Sequence, residues 1–221
     1  MRSGRGVTDK RVLVHYGGIR GKIRDGDILL FRGKSWISRV ICRLTGSPYS
    51  HAAIVAWWSD RLMVLEAVGK GIVVSRMSVV VNQYSGKVEL WTTDTDLARI
   101  EVIRTAQRLL GRHYSPYKLI RNLVRLVLGR PRHAEVDPEA PPEDFVCSEF
   151  VSRVYRAGGI DLVADAPDLY TKPSDIAKSP RLRKIGGVVR GQPAELTGDS
   201  IDRPPSGPVR ASRGPASREA A

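Results

Sequence analysis

Short apolar runs separated by turn residues fill the first half of the chain. The turn Arg24-Asp25-Gly26-Asp27 precedes one of them, and the runs have the length and residue types of strands. They predict strands at residues 12–14, 28–31, 51–58, 62–68, 71–75 and 87–92. The connections between the last four of these segments, from 51–58 to 87–92, are short, which favours an antiparallel meander.

Apolar residues at helical spacing alternate with these runs and dominate the second half. They predict helices at residues 35–44, 96–110, 116–128 and 146–157, the first with Ile37, Val40, Ile41 and Leu44 on one face and ended by Gly46 and Pro48. Residues 133–145 are acidic and contain three prolines, which predicts a loop. This order of elements indicates an α+β domain with helices packed against a mostly antiparallel sheet.

Composition sets the domain limits. The chain has 221 residues, of which 42% are hydrophobic and 27% charged, as in an ordinary globular domain. Residues 191–221 contain no aromatic residue, and Gly, Pro and Ser fill 13 of these 31 positions, too little apolar surface to offset the entropy of ordering. We therefore predict a flexible basic arm at 1–16, one domain at 17–187 and a disordered tail at 188–221.

Charge indicates an anionic partner. Lys and Arg number 36 against 23 Asp and Glu, a net charge of +13. The predicted helix 116–128 has one apolar and one basic face, which resembles a membrane-surface helix; an ordinary packed helix, whose basic face the acidic loop covers, is the alternative. The longest uncharged stretch, Leu44 to Ser59, is too short to span a bilayer, and no signal peptide is visible, so a cytoplasmic location is the default expectation.

Cys147 and His51 are the candidate reactive residues. Two cysteines cannot build a disulfide scaffold. Cys147 opens a predicted helix, where the helix dipole favours thiolate; a buried cysteine that packs as a small apolar residue is the alternative. Cys42 lies within a helix and serves as the comparison. Of the four histidines, only His51 begins an apolar strand directly after a turn. No histidine and cysteine have a metal-ligand spacing, so no metal or cofactor is expected.

Glu66 interrupts the apolar strand LMVLEAV, and a carboxylate in such a place needs a partner. A hairpin that pairs Trp57 with Leu62 places Ala53 opposite Glu66. His51 then becomes a diagonal neighbour of Glu66 on the same face, about 7–8 Å away between backbones. A slip of one residue would put the two on opposite faces, so the spacing permits a His–carboxylate pair without requiring it.

Four segments carry a family resemblance. GDILLFRG at 26–33, PYSHAAIV at 48–55, VLEAVGKGIV at 64–73 and VCSEFVSRVY at 146–155 resemble the permuted NlpC/P60 papain-like amidases, in particular the YiiX/YaeF-like branch. TKPSDIAKSPRLRKIGG at 171–187 also resembles the end of that branch. The similarity runs from about residue 20 to 187, and its specificity comes from the ordered set of motifs.

The resemblance implies a circularly permuted papain-like fold, in which the histidine precedes the nucleophile. By position, it implies that Cys147 is the nucleophile, His51 the base and Glu66 the residue that orients the base. Tyr49 falls where the family often places an aromatic residue beside the site, so substrate binding is implied for it; a turn residue that covers the core is the alternative.

A cysteine hydrolase acting on an amide or ester through a thioacyl intermediate is the function that the resemblance implies. A cell-wall peptide or a lipid acyl group would be the substrate, and acyl transfer stays open. The alternative is a basic binding module for anionic membrane or nucleic acid with an inactive site. No nucleic-acid-binding motif supports specific recognition beyond charge.

Deletion of residues 191–221 should leave the melting temperature within about 2 °C, because changes outside the core usually alter stability by less than about 0.5 kcal/mol. Thermal unfolding of the full and shortened chains tests this. A clearly lower melting temperature in the shortened chain would mean that the tail packs on the domain.

Overall fold

The computed structural model describes residues 13–93, 99–114, 144–164 and 166–189. Its strands are β1 Leu13–His15, β2 Ile28–Arg32, β3 His51–Trp58, β4 Arg61–Val68, β5 Gly71–Arg76, β6 Lys87–Thr92, β7 His113–Tyr114, β8 Asp144–Phe145 and β9 Arg183–Val189. Its α-helices are α1 Tyr16–Ile19, α2 Trp36–Thr45, α3 Met77–Gln83, α4 Arg99–Arg108, α5 Cys147–Ala157 and α6 Pro173–Lys178. Short 3₁₀ turns lie at Arg20–Lys22 and Asp168–Tyr170.

Seven strands form one sheet in the order β1-β9-β6-β2-β3-β4-β5. Every neighbouring pair is antiparallel except β1 and β9, which are parallel. The predicted meander holds for β3, β4 and β5, which are neighbours in chain order, but β6, predicted as its next strand, pairs with β2 and β9 instead of β5. The α+β organisation predicted from the sequence is confirmed. A separate two-stranded parallel ladder joins β7 to β8.

Helices cover both faces of the sheet. On the α5 face, α4, α5 and α6 bury Val102, Ala106, Phe150, Val151, Val154 and Ile176 against Ile28, Leu30, Ala52, Ile54 and Leu65. On the α3 face, Met77 and Val81 of α3 pack with Leu29, Phe31, Ala53, Val55, Leu62 and Val64. Successive residues of β2 and β3 therefore enter opposite clusters, as the two-residue period of a strand requires.

Asp27 ties the start of β2 to the surrounding elements. Its buried carboxylate accepts hydrogen bonds from the Arg24 N–H at 2.9 Å and from Thr92 Oγ1 at 2.6 Å, and lies 3.7 Å from the Arg99 guanidinium of α4. Burial raises the pKa of Asp27 against the opposing effect of these donors. Beside it, the buried Tyr155 hydroxyl of α5 donates to the Gly26 carbonyl. The Gly-Asp turn thus fixes α4 and α5 relative to the sheet.

Helix α3 and strand β9 are among the elements that were not predicted from the sequence. Helix α3 has the sequence MSVVVNQ, whose β-branched residues have low helix propensity; burial of Met77 and Val81 at helical spacing overrides that preference. Strand β9 contains Gly186 and Gly187, which weaken a strand pattern, but it pairs on both sides, with β6 and β1.

The predicted domain limits need correction at both ends. Val188 is buried and paired with Val14 and Val88, so the ordered chain continues past the predicted end at 187. Strand β1 lies inside the predicted arm 1–16 and contributes to the sheet. Asp144–Phe145, predicted as loop, forms β8, because the facing β7 supplies its hydrogen-bond partners.

The predicted helix 116–128, most of the loop 133–145 and the stretch 191–221 lie outside the described residues, so the membrane role of the basic helix stays a prediction. None of the helices in the described part of the chain has the length and apolar character needed to cross a bilayer.

Tyr155→Phe should destabilise the protein by about 1–3 kcal/mol, because the Gly26 carbonyl would lose its buried donor. Denaturant unfolding of wild type and variant measures this difference. Tyr16→Phe, at a half-buried tyrosine whose hydroxyl bonds Arg20, is the control and should cost under about 1 kcal/mol. Equal losses in the two variants would contradict the role given to Tyr155.

Candidate active site

The β3–β4 hairpin has the register that the sequence predicted. Trp57 pairs with Leu62 and Ile54 with Leu65, so continuing the same register places Ala53 opposite Glu66. His51 and Glu66 then lie diagonally on the α3 face. Nε2 of His51 is 2.8 Å from Oε2 of Glu66, which is hydrogen-bond distance. The structure thus brings this predicted pair together.

The two strands separate next to that pair. Their ladder runs from Trp58↔Arg61 to Ile54↔Leu65, whereas His51 stays paired with Phe31 of β2 and Glu66 with Val73 of β5. An opening between β3 and β4 follows, beside the ends that carry His51 and Glu66.

Cys147 faces this opening from the α5 face. The Val55 N–H donates to the Asp27 carbonyl on the β2 side. By the alternation of a strand, the Ala52 N–H therefore points toward β4. That N–H donates to the sulfur of Cys147, and the thiol forms a side-chain hydrogen bond with His51. The cysteine and the histidine thus meet although they belong to opposite faces of the sheet.

Helix α5 holds Cys147 in place. Cys147 is its first residue, and buried Phe150, Val151 and Val154 fix the helix against the sheet. The Ser148 N–H also donates to the sulfur, while the Ser148 hydroxyl donates to the Thr171 carbonyl at 2.5 Å. The sulfur therefore lies at the positive end of the helix dipole with two backbone donors directed at it.

Electrostatics favour a thiolate–imidazolium pair. Burial opposes the charge on His51, but Cys147 and then Glu66 outweigh it and raise the histidine pKa to about 10. Burial likewise raises the pKa of Cys147, yet His51 and the backbone donors at Ala52 and Ser148 outweigh it, so that this pKa is lowered. The ion pair persists as the pH falls to the lowered thiol pKa and is lost as the pH rises through about 10.

An aromatic stack supports the imidazole. The ring centroid of Phe31 lies 5.0 Å from that of His51, and Tyr84 packs edge-on to Phe31 at 4.9 Å. The side chains of His51 and Glu66 retain 19% and 13% of their surface exposed. The pair is thus largely desolvated and still open to a reactant.

Tyr49 is buried two residues before His51. Its hydroxyl donates to Glu89 Oε2 at 2.6 Å, and Arg32 lies over its ring at 4.8 Å. Burial and then Glu89 raise the pKa of Tyr49 to about 12. Lys184 Nζ lies 3.2 Å from the same buried carboxylate. Substrate binding by Tyr49 stays a prediction, while its described contacts anchor the turn before β3.

Sequence reasoning missed Glu89, Phe31 and the Ala52 N–H. Glu89 interrupts the strand KVELWT as Glu66 interrupts LMVLEAV, and the same argument would have singled it out. Phe31 has the sequence pattern of an ordinary core residue. The direction of a backbone N–H cannot be predicted from residue types alone.

The described residues contain no group of three or more His, Cys, Asp and Glu side chains able to hold a metal ion. Of the other histidines, His15 and His113 belong to β1 and β7, and His133 lies outside the described residues.

Comparison with known proteins indicates a fold relationship. No family model matches the chain, and no curated protein matches it. Among solved structures, the metalloprotein YiiX from Escherichia coli O157:H7, described as DUF1105, aligns with a TM-score of 0.56 at 19% sequence identity. The alignment covers 74% of this chain and 96% of YiiX.

The chain has a YiiX-like fold. At 19% identity this likeness concerns the fold alone, so any function must be argued from the side chains of this chain.

Iodoacetamide at pH 6 should alkylate Cys147 before Cys42, because thiolate is the reactive form. An ordinary thiol is about 0.3% ionised at that pH. A larger thiolate fraction speeds the alkylation of Cys147, but a low-pKa thiolate is less nucleophilic, which offsets part of that increase. We therefore expect Cys147 to react roughly tenfold faster than Cys42. Cys42 is an internal control: it is half-buried whereas Cys147 is buried, and burial raises its pKa. If accessibility alone controlled the rate, Cys42 would be alkylated before Cys147.

His51→Ala should raise the pKa of Cys147 toward its ordinary range and slow its alkylation at pH 6. Mass spectrometry of the two cysteine peptides measures both rates. Equal labelling of Cys42 and Cys147, or labelling of Cys147 that is unchanged in His51→Ala, would contradict the ion pair.

Proposed function

We propose that the protein is a cysteine hydrolase that cleaves an amide or ester bond, with Cys147 as nucleophile, His51 as base and Glu66 as the residue that positions the base. One observation carries the proposal. The His51 imidazole has Glu66 on Nε2 at 2.8 Å and is also hydrogen-bonded to the Cys147 thiol. A nucleophile, a base and an orienting group in hydrogen-bonded series are the arrangement that thiol catalysis requires.

Acylation follows from this arrangement. The Cys147 thiolate attacks the carbonyl carbon of the substrate, and the carbonyl electron pair moves onto oxygen. The backbone N–H of Cys147, in the first turn of α5, is a candidate donor to that oxyanion. As the tetrahedral intermediate collapses, the bond to the leaving group breaks and the His51 imidazolium gives it a proton. The products are a thioester at Cys147 and a free amine or alcohol.

Deacylation reverses these proton movements. Neutral His51 takes a proton from water, and the resulting hydroxide attacks the thioester carbonyl. Collapse releases a carboxylic acid and restores the thiolate beside the imidazolium. An alcohol or amine in place of water would make the same site an acyltransferase. Glu66 keeps Nε2 as a donor in both steps and stabilises the charged ring.

A permuted papain-like fold is the finer structural proposal. The YiiX-like fold and the chain order His51, Glu66, Cys147 both support it, since permutation places the histidine before the nucleophile. YiiX is described as a metalloprotein. In the part of the chain that the structure describes, no three or more acidic, histidine or cysteine side chains form a group able to hold a metal ion, and the proposed steps are written for the residues Cys147, His51 and Glu66.

The proposed substrate class is a cell-wall peptide or a lipid acyl group, both of which present an amide or ester carbonyl. The net charge of +13 suits an anionic substrate of either kind. The second candidate function is a basic binding module in which the thiol is idle. The net positive charge supports this binding module as well. A binding module, however, does not explain why a thiol, an imidazole and a carboxylate are hydrogen-bonded in series.

Purified wild type and Cys147→Ala should be compared on a panel of aryl esters, acyl amides and stem peptides. We expect turnover by wild type and a thioacyl adduct of Cys147, detected by mass spectrometry after rapid acid quenching. Cys147→Ala should show neither. Hydrolysis that is unaffected in Cys147→Ala would refute the proposed nucleophile. Alkylation at pH 6 tests the site without a known substrate.

Glu66→Gln should lower turnover by about 100-fold while Cys147→Ala removes it, because nucleophile and base remain in the former. The loss of the carboxylate also lowers the His51 pKa, so the alkaline fall in rate, which follows loss of the imidazolium near pH 10, should move to lower pH. A pH–rate profile measures both effects. A purely structural Glu66 would leave the shape of that profile unchanged.

A further inference from the structure

Helix α2 presents its apolar side chains to the outside. Its inner face carries buried Ile41 and the half-buried Ser38, Cys42 and Thr45. Trp36, Val40 and Leu44 are 69%, 44% and 39% exposed. The sequence pattern grouped Val40 and Leu44 with Ile41 on one face, but the helix is rotated so that only Ile41 of these three is buried.

The exposed residues form one continuous stripe. Trp36, Val40 and Leu44 follow one another at four-residue spacing, so they lie above each other along the helix. The other large apolar residues exposed in the described part of the chain, Trp58, Val79 and Ile100, belong to separate elements. A surface helix normally turns such a stripe inward, so an outward stripe indicates an interaction surface.

Two arginines lie beside the apolar stripe of α2. Helix α2 carries Arg39 and Arg43, both exposed, and contains no acidic residue. At 100° per residue, the two arginines lie along one side of the line from Trp36 to Leu44. An open groove of about 640 Å³ beside the helix is lined by Trp36, Arg39, Val40, Cys42, Arg43, Gly33 and Pro48. Apolar and cationic side chains that lie side by side on one surface can bind an amphiphile with an anionic headgroup.

We propose that α2 docks in the headgroup layer of an anionic lipid bilayer, with Trp36, Val40 and Leu44 toward the acyl chains and Arg39 and Arg43 on the lipid phosphates. Charge complementarity identifies the occupant, because the two exposed side chains along one side of the stripe, Arg39 and Arg43, are cationic and the chain has a net charge of +13. An exposed tryptophan beside arginines on a short amphipathic helix is typical of a bilayer interface.

The ends of α2 hold this surface in place. The Ser35 hydroxyl accepts from the Ser38 N–H at 3.1 Å, and Gly46 closes the helix with φ +61°. The turn 47–50 then leads directly to His51 of β3. A bilayer on α2 would therefore lie beside the strand that carries His51. The inference goes beyond the proposed hydrolase chemistry and does not depend on it.

Vesicle co-sedimentation tests the proposal with the full chain carrying Cys147→Ala, so that no lipid turnover interferes. Vesicles of phosphatidylcholine alone are compared with vesicles containing phosphatidylglycerol, at low and high salt. We expect binding to the anionic vesicles that weakens with salt. Either Trp36→Ala/Leu44→Ser or Arg39→Gln/Arg43→Gln should weaken it by about tenfold or more.

Matched variants separate α2 from the remaining basic surface. Ile100→Ser removes an equally exposed apolar side chain from α4, and Arg61→Gln/Arg76→Gln removes two exposed charges from β4 and β5. Both should bind as the parent does. Tryptophan emission should shift to the blue on anionic vesicles. Trp36→Phe should lose that shift yet still sediment.

Three results would overturn the proposal. One is the absence of binding to anionic vesicles. A second is salt-sensitive binding that the α2 variants leave unchanged, which would assign it to other basic segments. The third is a concentration-dependent dimer that Trp36→Ala/Leu44→Ser abolishes without vesicle binding, which would make a second copy the occupant. Failure of these vesicle tests would leave the alkylation of Cys147 unaffected, so the two proposals are refuted separately.

Discussion

The imidazole of His51, held between the Glu66 carboxylate and the Cys147 thiol, is the interaction around which the described structure is organised. Burying an imidazolium is unfavourable unless opposite charges contact it, and here both partners do. Cys147 and Glu66 raise the pKa of His51 by more than burial lowers it, so that the pKa is about 10. Removal of either partner would leave a buried charge with incomplete compensation, so the three groups constrain one another.

This contact requires an interruption in the sheet. A ladder that continued between β3 and β4 would use the Ala52 N–H for a strand bond, whereas the opening directs it to the sulfur of Cys147. The sheet stays continuous because β2 pairs with the separated end of β3 and β5 pairs with the separated end of β4. The Tyr155 hydroxyl then ties α5 to the Gly26 carbonyl before β2, which helps to fix the position of Cys147 in the opening.

Two surfaces of the domain have different physical characters. The site is buried and its charges compensate one another, so its chemistry depends on local geometry. Helix α2 is exposed, apolar and basic, so its affinity for anionic lipid would depend on salt and membrane composition. The turn 47–50 joins the two, with Tyr49 anchored on Glu89. A rigid connection of this kind would hold the reactive groups at a fixed position relative to whatever α2 binds.

The sequence alone predicted most strands of the large sheet and a hairpin register that permits the pairing of His51 with Glu66, because strand period and turn spacing are local properties. It also singled out Cys147, through its place at a helix start. The folded structure was needed to show which face of α2 is exposed, that α3 is helical and that the thiol reaches His51 through the sheet. Each of these depends on contacts between segments distant along the chain, and burial there outweighs intrinsic propensity.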